Sequence, residues 1–201
     1  MKTQSHKQAL ALSYFTLGYT LLECVAGLTL GILAGSTALI AFGLGSIAES
    51  LSGGVMVWRF RQHSDNDHEE EHLEQKAVKL VAYTFFILGT YVFLDSLKAL
   101  YLHEVAQPSL WGIVLTALAL IIMPILSWKK YRVGKSIGSR SLMADSKETL
   151  ACVMLSIATL IGLGLNHFGY WWADPLAATV IGMLLIREGY HTYHEEKLCD
   201  C

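Results

Sequence analysis

Six long segments with few charged residues dominate this sequence and restrict what the chain can fold into. They cover residues 9–33, 36–58, 77–102, 109–128, 142–165 and 170–189. Each holds about 20 or more mainly apolar residues, the length that an α-helix needs to cross a hydrocarbon core of about 30 Å. None shows the alternation of polar and apolar residues that is typical of membrane β-strands. We therefore predict an all-α integral membrane protein, a bundle of six transmembrane helices.

The composition supports a membrane protein and argues against several other classes. Hydrophobic residues make up 53% of the chain and charged residues 16%, whereas soluble domains carry roughly 25% charged residues. The formal net charge is −2, so no basic excess indicates nucleic acid as a partner. The four cysteines are too few for a disulfide framework. We find no Ser/His/Asp set, phosphate loop or H-E-x-x-H motif and do not expect an enzyme.

The positively charged residues predict the orientation of the bundle. Thirteen of the fifteen Lys and Arg residues lie before the first segment, between the second and third, between the fourth and fifth, or near the end of the sixth. The other three connections contain none. Because Lys and Arg accumulate on the cytoplasmic side, we predict a multi-pass protein of the cell inner (plasma) membrane with both termini cytoplasmic. The chain then divides into a cytoplasmic N-terminus (residues 1–8), the six-helix transmembrane domain (9–189) and a short cytoplasmic tail (190–201).

Acidic residues inside the predicted spans are the main indication of function. One ionised acid at mid-membrane costs about 2.5–3.5 kcal/mol, so six of them would exceed the typical domain stability of about 5–15 kcal/mol. They must face one another, water, a lysine such as Lys98 or Lys147, or a bound cation, and a cation pathway is the most economical explanation. The six acids are Glu23, Glu49, Asp95, Asp145, Glu148 and Asp174.

Some of these acids also have a structural explanation. Asp95 and Lys98 are three residues apart and can pair on one helix face. Asp174 precedes Pro175, which is typical of a helix start with Asp as the N-cap. Glu23 can belong to a polar network between helices.

Two segments favour metal binding. Glu49 lies among small residues, which let helices approach closely and leave room for an ion. Asp145, Glu148 and Cys152 are spaced at i, i+3 and i+7, on one face of a helix. Carboxylate and thiolate ligands together suit Zn²⁺, with Cd²⁺ and Co²⁺ as alternatives. A buried Cys is also often only a small apolar side chain.

Two stretches resemble the cation diffusion facilitator family. The sequence ALIAFGLGSIAE at residues 38–49 is similar to that family's second helix, where two metal ligands stand four residues apart. The sequences SLMADSKET at 141–149 and YWWADPL at 170–176 are similar to its fifth and sixth helices. Six helices with cytoplasmic termini is also the topology of that family.

The resemblance implies a set of ligand positions. By position, the four ligands of the family fall on Gly45, Glu49, Glu148 and Cys152, so one ligand is missing at Gly45. Asp145 or a water molecule would complete a four-coordinate site, because Zn²⁺ accepts three protein ligands plus water. We therefore predict a metal site of Glu49, Asp145, Glu148 and Cys152. The short tail after helix 6 leads us to expect a divergent member with the membrane domain only, without the family's usual cytoplasmic metal-binding domain.

The expected function is transport of a divalent metal cation, with efflux of zinc favoured and cadmium or cobalt as alternatives. Protons compete with metals for carboxylates and thiolates, so the hypothesis for the mechanism is metal exit coupled to proton entry. The metal is cargo, and no permanently bound cofactor is expected. The expected partners are the metal ion, protons and the lipid bilayer, and a homodimer by analogy with the family. The alternative, favoured by Gly45, is a non-transporting membrane protein of the same fold with a degenerate structural or metal-sensing site.

Three further features leave alternatives open. The segment 63–72 carries three His among acids and either gathers cations weakly or forms the charged start of helix 3. The tail carries His191, His194, Cys199 and Cys201 and either handles metal or is only a soluble end. Gly27 and Gly31, which with Gly35 form two overlapping G-x-x-x-G steps, serve either packing in the bundle or a dimer contact.

Overall fold

The computed structural model describes residues 2–61 and 67–197, and within them every regular element is an α-helix. This confirms the predicted all-α fold with six helices in the described chain. The helices are α1 (Lys2–Ala34), α2 (Thr37–Arg61), α3 (Asp67–Leu102), α4 (Leu110–Ile137), α5 (Arg140–His167) and α6 (Ala173–Lys197).

Most helices extend beyond the segments predicted from hydropathy, and the extension of α4 places a lysine inside a helix. The sequence predicts an end at residue 128, whereas α4 continues to Ile137. Gly138 then adopts the left-handed conformation with φ 72°, which glycine tolerates at the end of a helix. Ser139 starts α5, since its side chain accepts a hydrogen bond from the backbone N–H of Leu142. The added turns of α4 include Lys130, which the hydropathy pattern assigns to a loop.

The helices have the length and surface of membrane spans. Five of those described are long and apolar enough to cross a membrane, and only α6 does not meet this criterion. Arg187 and Glu188 lie in the second half of α6 and lower its hydropathy. Large apolar side chains such as Leu22, Ile32 and Ile87 point away from the bundle and are 69–71% exposed. These side chains would face lipid.

The helices pack most extensively in three pairs, α1 with α2, α3 with α6, and α4 with α5. Helices α2, α5 and α6 also contact one another and form the centre of the bundle. Its apolar core is built from side chains of these helices, with contributions from α3 and α4, and includes Leu39, Phe42, Leu155, Leu163, Ile181 and Leu185.

Glycines on α1 allow an unusually close approach to α2. A Cβ added to Gly31 would lie 2.7 Å from Cγ1 of Ile40, and one added to Gly27 would lie 3.1 Å from Cα of Gly43. Both glycines therefore serve packing within the bundle, the first of the two alternatives for this motif. Gly35 lies in the turn after α1, with φ 62°.

Asp174 connects the start of α6 to the start of α2. Its carboxylate accepts hydrogen bonds from the Ser36 hydroxyl at 2.5 Å and from the backbone N–H of Ala38 at 3.3 Å. The acid therefore has a structural role, as its position before Pro175 suggests, but it caps α2. It lies inside the first turn of its own helix, which begins at Ala173.

The two histidine-bearing segments of the sequence are only partly described. Helix α3 begins at Asp67, so residues 67–72 form its first turns, whereas His63 lies outside the described residues. Helix α6 continues to Lys197, and the ring of His194 stacks on that of Tyr190 with 4.1 Å between centroids. The tail cysteines at 199 and 201 also lie outside the described residues.

Candidate metal site

Buried polar side chains line the faces of α1, α2, α4 and α5 that meet inside the bundle. Most of the hydroxyl groups donate to a carbonyl one turn earlier in their own helix, as Thr20, Thr116 and Ser156 do, which satisfies them without a partner helix. The acids have no such local partner. The buried members of this polar stripe are Thr20, Glu23, Ser46, Glu49, Ser50, Ser52, Thr116, Lys130, Asp145, Ser146, Thr149 and Ser156.

Asp145 and Glu148 face α2, as their spacing predicts. Ser52 of α2 forms a short hydrogen bond with Oε2 of Glu148, and its Oγ lies 3.2 Å from Oδ1 of Asp145. One hydroxyl group thus bridges two carboxylates of α5. These contacts join α2 to α5 near the end of the bundle that carries the termini.

Lys130 supplies a positive charge inside this group. Its Nζ lies 2.8 Å from Oδ2 of Asp145 and donates a 2.8 Å hydrogen bond to the Thr149 hydroxyl. Sequence reasoning considered Lys98 and Lys147 as partners for the acids and missed Lys130, because it assigned this residue to a loop. A signal was present: residues 125–137 contain no proline, and their one glycine, Gly134, is of a kind that a helix tolerates. Lys98 instead lies 3.4 Å from Glu104, and both are largely exposed.

Glu49 of α2 and Cys152 of α5 lie close together, about one helical turn further into the bundle than Ser52 and Glu148. Their exposed fractions are 1% and 6%. The Cys152 thiol and the Thr149 hydroxyl lie close to the Glu49 carboxylate. Neither satisfies it, because both Glu49 oxygens are without a hydrogen-bond partner among the residues that the structure describes.

Glu23 of α1 is a further buried acid, which the predicted ligand set omits. It is 2% exposed, lies beside the Tyr19 hydroxyl, and is within electrostatic range of Glu49. In the described part of the chain its two carboxylate oxygens have no hydrogen-bond partner, and neither does the Tyr19 hydroxyl. From the sequence, Glu23 is recognisable as an acid inside a predicted membrane span, but Glu23 corresponds to no ligand position of the family.

Gly45 stands at the position that the resemblance assigns to a fourth ligand, and apolar side chains lie next to it. A Cβ added there would lie 2.7 Å from Cδ1 of Leu155 and 3.6 Å from Cδ2 of Leu185. A ligand side chain at this position would therefore require the Leu155 side chain to move, whereas Leu185 lies at an ordinary contact distance.

The four predicted ligands thus lie along one stripe in two groups rather than around one point. One group joins Asp145 and Glu148 through Ser52, and the other brings Glu49 close to Cys152. Among the side chains that the structure describes, no three from His, Cys, Asp and Glu are gathered closely enough to hold a metal ion. The arrangement offers a series of acidic positions through the bundle, and the four ligands stay a prediction.

Comparison with known proteins identifies the family. Residues 13–196 match the cation efflux transmembrane domain. The chain is 30% identical to the cation-efflux pump FieF of Serratia proteamaculans over 166 residues, which are 80% of this chain and 55% of that protein. It is 32% identical to FieF of Salmonella typhi over 148 residues, 72% of this chain and 50% of the relative.

A third relative carries a different metal in its name. The chain is 22% identical to the manganese efflux system protein MneS of Bacillus subtilis over 173 residues, which are 84% of this chain and 60% of that protein. These relatives are named as efflux proteins and not as enzymes, and this chain spans about half of their length. The match over residues 13–196 includes all of the candidate site, so the chain belongs to the cation efflux family, the cation diffusion facilitators that its sequence resembles.

Proposed function

We propose that this protein exports a divalent metal cation from the cytoplasm in exchange for protons, with zinc as the favoured cargo and cadmium or cobalt as alternatives. The observation that carries the proposal is the buried Glu49, whose carboxylate lies against Cys152 of α5 with no hydrogen bond to satisfy it among the described residues. A charge in this position costs several kcal/mol unless a cation or a proton binds it. The family supplies the reaction class.

The ligand chemistry supports zinc over harder cations. Zn²⁺, Cd²⁺ and Co²⁺ accept both carboxylate oxygen and thiolate sulfur, whereas Mg²⁺ and Ca²⁺ take oxygen ligands almost alone. Glu49 with Cys152 would offer one donor of each kind. Glu148 would supply a further carboxylate towards the cytoplasm, where the cation enters.

Exchange for protons is consistent with the same ligands. A thiolate or carboxylate that binds a metal must first lose its proton, and it can take a proton when the metal leaves. Protons that enter from outside would therefore release the cation there. The protein would act in the inner (plasma) membrane, where an inward proton gradient can drive the export of metal.

Transport into inside-out proteoliposomes tests this function. Vesicles that contain the purified protein should accumulate Zn²⁺ when their interior is acidic, and a pH-sensitive dye should report protons leaving at the same time. Asp95→Asn is a matched control, since it removes an acid from α3 outside the candidate site. If vesicles with the protein take up no divalent cation beyond empty vesicles, the transport function is wrong. Zn²⁺ uptake without proton movement would refute the antiport alone.

A second function is favoured by one observation. Gly45 carries no ligand side chain and faces Leu155, so the alternative is a non-transporting membrane protein of the same fold with a degenerate structural or metal-sensing site. Such a protein would bind Zn²⁺ in detergent solution but would give no flux in the same vesicles.

A further inference from the structure

Glu23 is a buried acid that lies beside the Tyr19 hydroxyl but forms no hydrogen bond with it. Its carboxylate is 2% exposed, and among the described residues neither oxygen accepts a hydrogen bond. Glu49 has the same property at 1% exposure. An isolated charge inside a membrane span is unfavourable, so two neighbouring acids of this kind together destabilise the fold unless something binds them. A ligand that both can bind would remove this cost.

The packing of α1 on α2 holds Glu23 level with Glu49. On one side of Glu23, the Ser50 hydroxyl donates a 2.9 Å hydrogen bond to the hydroxyl oxygen of Thr20. On the other side, Gly27 approaches Gly43 so closely that an added Cβ would lie 3.1 Å from its Cα. Both contacts join α1 to α2, and Glu23 stands between them in the sequence of α1. Its position beside Glu49 is therefore fixed by the helices and does not depend on a flexible loop.

Glu23 can also supply the metal-binding side chain that is missing at position 45. Gly45 has no side chain, and Leu155 fills the space next to it. Glu49 and Cys152 alone would give a cation two protein ligands, whereas zinc sites use three or four. Glu23 lies on α1, within electrostatic range of both Glu49 and Cys152.

Resting on the proposed function, we propose that Glu23 is a direct ligand of the transported cation and binds it together with Glu49, in place of the ligand missing at Gly45. Cys152 and water complete the coordination. Because no three such side chains are gathered in the described residues, binding requires a change of side-chain rotamer at Glu23 or Glu49. The attraction between a divalent cation and two carboxylates in a medium of low dielectric constant is sufficient to drive this change.

Co²⁺ titration of the purified protein in detergent tests the proposal, because Co²⁺ reports its ligands by visible absorption. Glu23→Gln keeps the shape of the side chain and removes the charge. We expect its Co²⁺ affinity to fall about 10–100-fold or more, since even losing a residue that only orients a ligand costs 10–100-fold. The shape of the d–d bands should change too. Asp95→Asn, the same chemical change in α3, should bind like the wild type.

Glu23→Asp keeps the charge on a shorter side chain and should retain part of the affinity. Thermal unfolding of each variant shows whether it is folded, and Glu23→Gln should be no less stable than wild type because it removes a buried charge. If Glu23→Gln binds Co²⁺ as tightly as wild type while Glu49→Gln does not bind it, Glu23 is not a ligand, and the proposed function stands. If the wild type binds neither Co²⁺ nor Zn²⁺, both the ligand role and the proposed function are wrong.

Discussion

The ammonium group of Lys130 forms an ion pair with Asp145 at 2.8 Å, and the two side chains are 0% and 1% exposed. The pair joins α4 to α5, and the Thr149 hydroxyl accepts a second hydrogen bond from the same nitrogen. Removing two charges from water is costly, and their attraction repays this cost only when the geometry is good. Asp145 therefore has a partner within the protein, which a metal ion would have to displace before this carboxylate could act as a ligand.

Lys130→Met should destabilise the protein because it leaves Asp145 buried without its counter-ion. Breaking one side of a buried ion pair costs about 3–5 kcal/mol. Adding Asp145→Asn removes the uncompensated charge and should recover most of the loss. The measurement is the thermal unfolding temperature in detergent for both single variants and the double variant. A wild-type unfolding temperature for Lys130→Met would mean that the ion pair contributes nothing to stability.

Glu148→Ala should abolish metal flux and leave the protein folded. The substitution removes a partly buried charge, and the loss of a charge inside a span is not expected to destabilise the bundle. Ser52→Ala is the comparison, since it deletes only the hydroxyl that bonds Glu148 and should slow flux without stopping it. Flux in vesicles and the yield of folded protein are measured together. Loss of folded protein rather than of flux would identify Glu148 as structural.

Cys152 tests the identity of the ligands. If its sulfur binds the cation, Cys152→Ser should weaken Cd²⁺ flux more than Zn²⁺ flux, because Cd²⁺ depends more on soft donors. Cys152→Asp should keep Zn²⁺ flux and shift the preference towards harder cations. A purely apolar role predicts otherwise: serine would then affect all metals alike, and aspartate would bury an unpaired charge. Unchanged metal preference in Cys152→Ser would exclude the sulfur from the site.

Gly45→Asp should fail to improve metal binding, although it restores the ligand expected at this position. Its Cβ would lie 2.7 Å from Cδ1 of Leu155, and such overpacking costs about 1–3 kcal/mol. Gly45→Asp combined with Leu155→Ala opens the space and should recover stability and bind Zn²⁺ at least as tightly as wild type. Unfolding temperature and Zn²⁺ titration distinguish these outcomes. Tighter binding by Gly45→Asp alone would show that the space is already available.

Gly31→Ala and Gly18→Ala form a matched pair within α1. A Cβ at Gly31 would lie 2.7 Å from Cγ1 and 2.8 Å from the backbone nitrogen of Ile40, whereas one at Gly18 meets nothing within 4 Å. Gly31→Ala should therefore lower the unfolding temperature, since α1 and α2 must separate. Gly18→Ala should be neutral or stabilising by up to about 1 kcal/mol through helix propensity. Equal effects of the two changes would contradict the close approach of α1 and α2.

The number of helices and the family could be predicted from the sequence because both depend on local patterns. A hydrocarbon core requires about 20 apolar residues for each helical span, so hydropathy along the chain was enough to find six helices. Helical spacing predicts that Asp145 and Glu148 face the same neighbouring helix. Both contact Ser52 of α2, which agrees with this prediction. The resemblance of residues 38–49 and 141–149 to the family rested on side-chain identities alone.

The partners of the buried charges were decided only by the tertiary structure. The counter-ion of a buried charge can come from any position in the sequence. Asp145 could therefore pair with any lysine that the fold brings near, and that lysine is Lys130. The same holds for Glu23, which is distant from Glu49 in the sequence and reaches it only because glycines let α1 and α2 approach closely. Hydropathy and spacing determine which faces are buried, but packing between helices determines which buried groups meet.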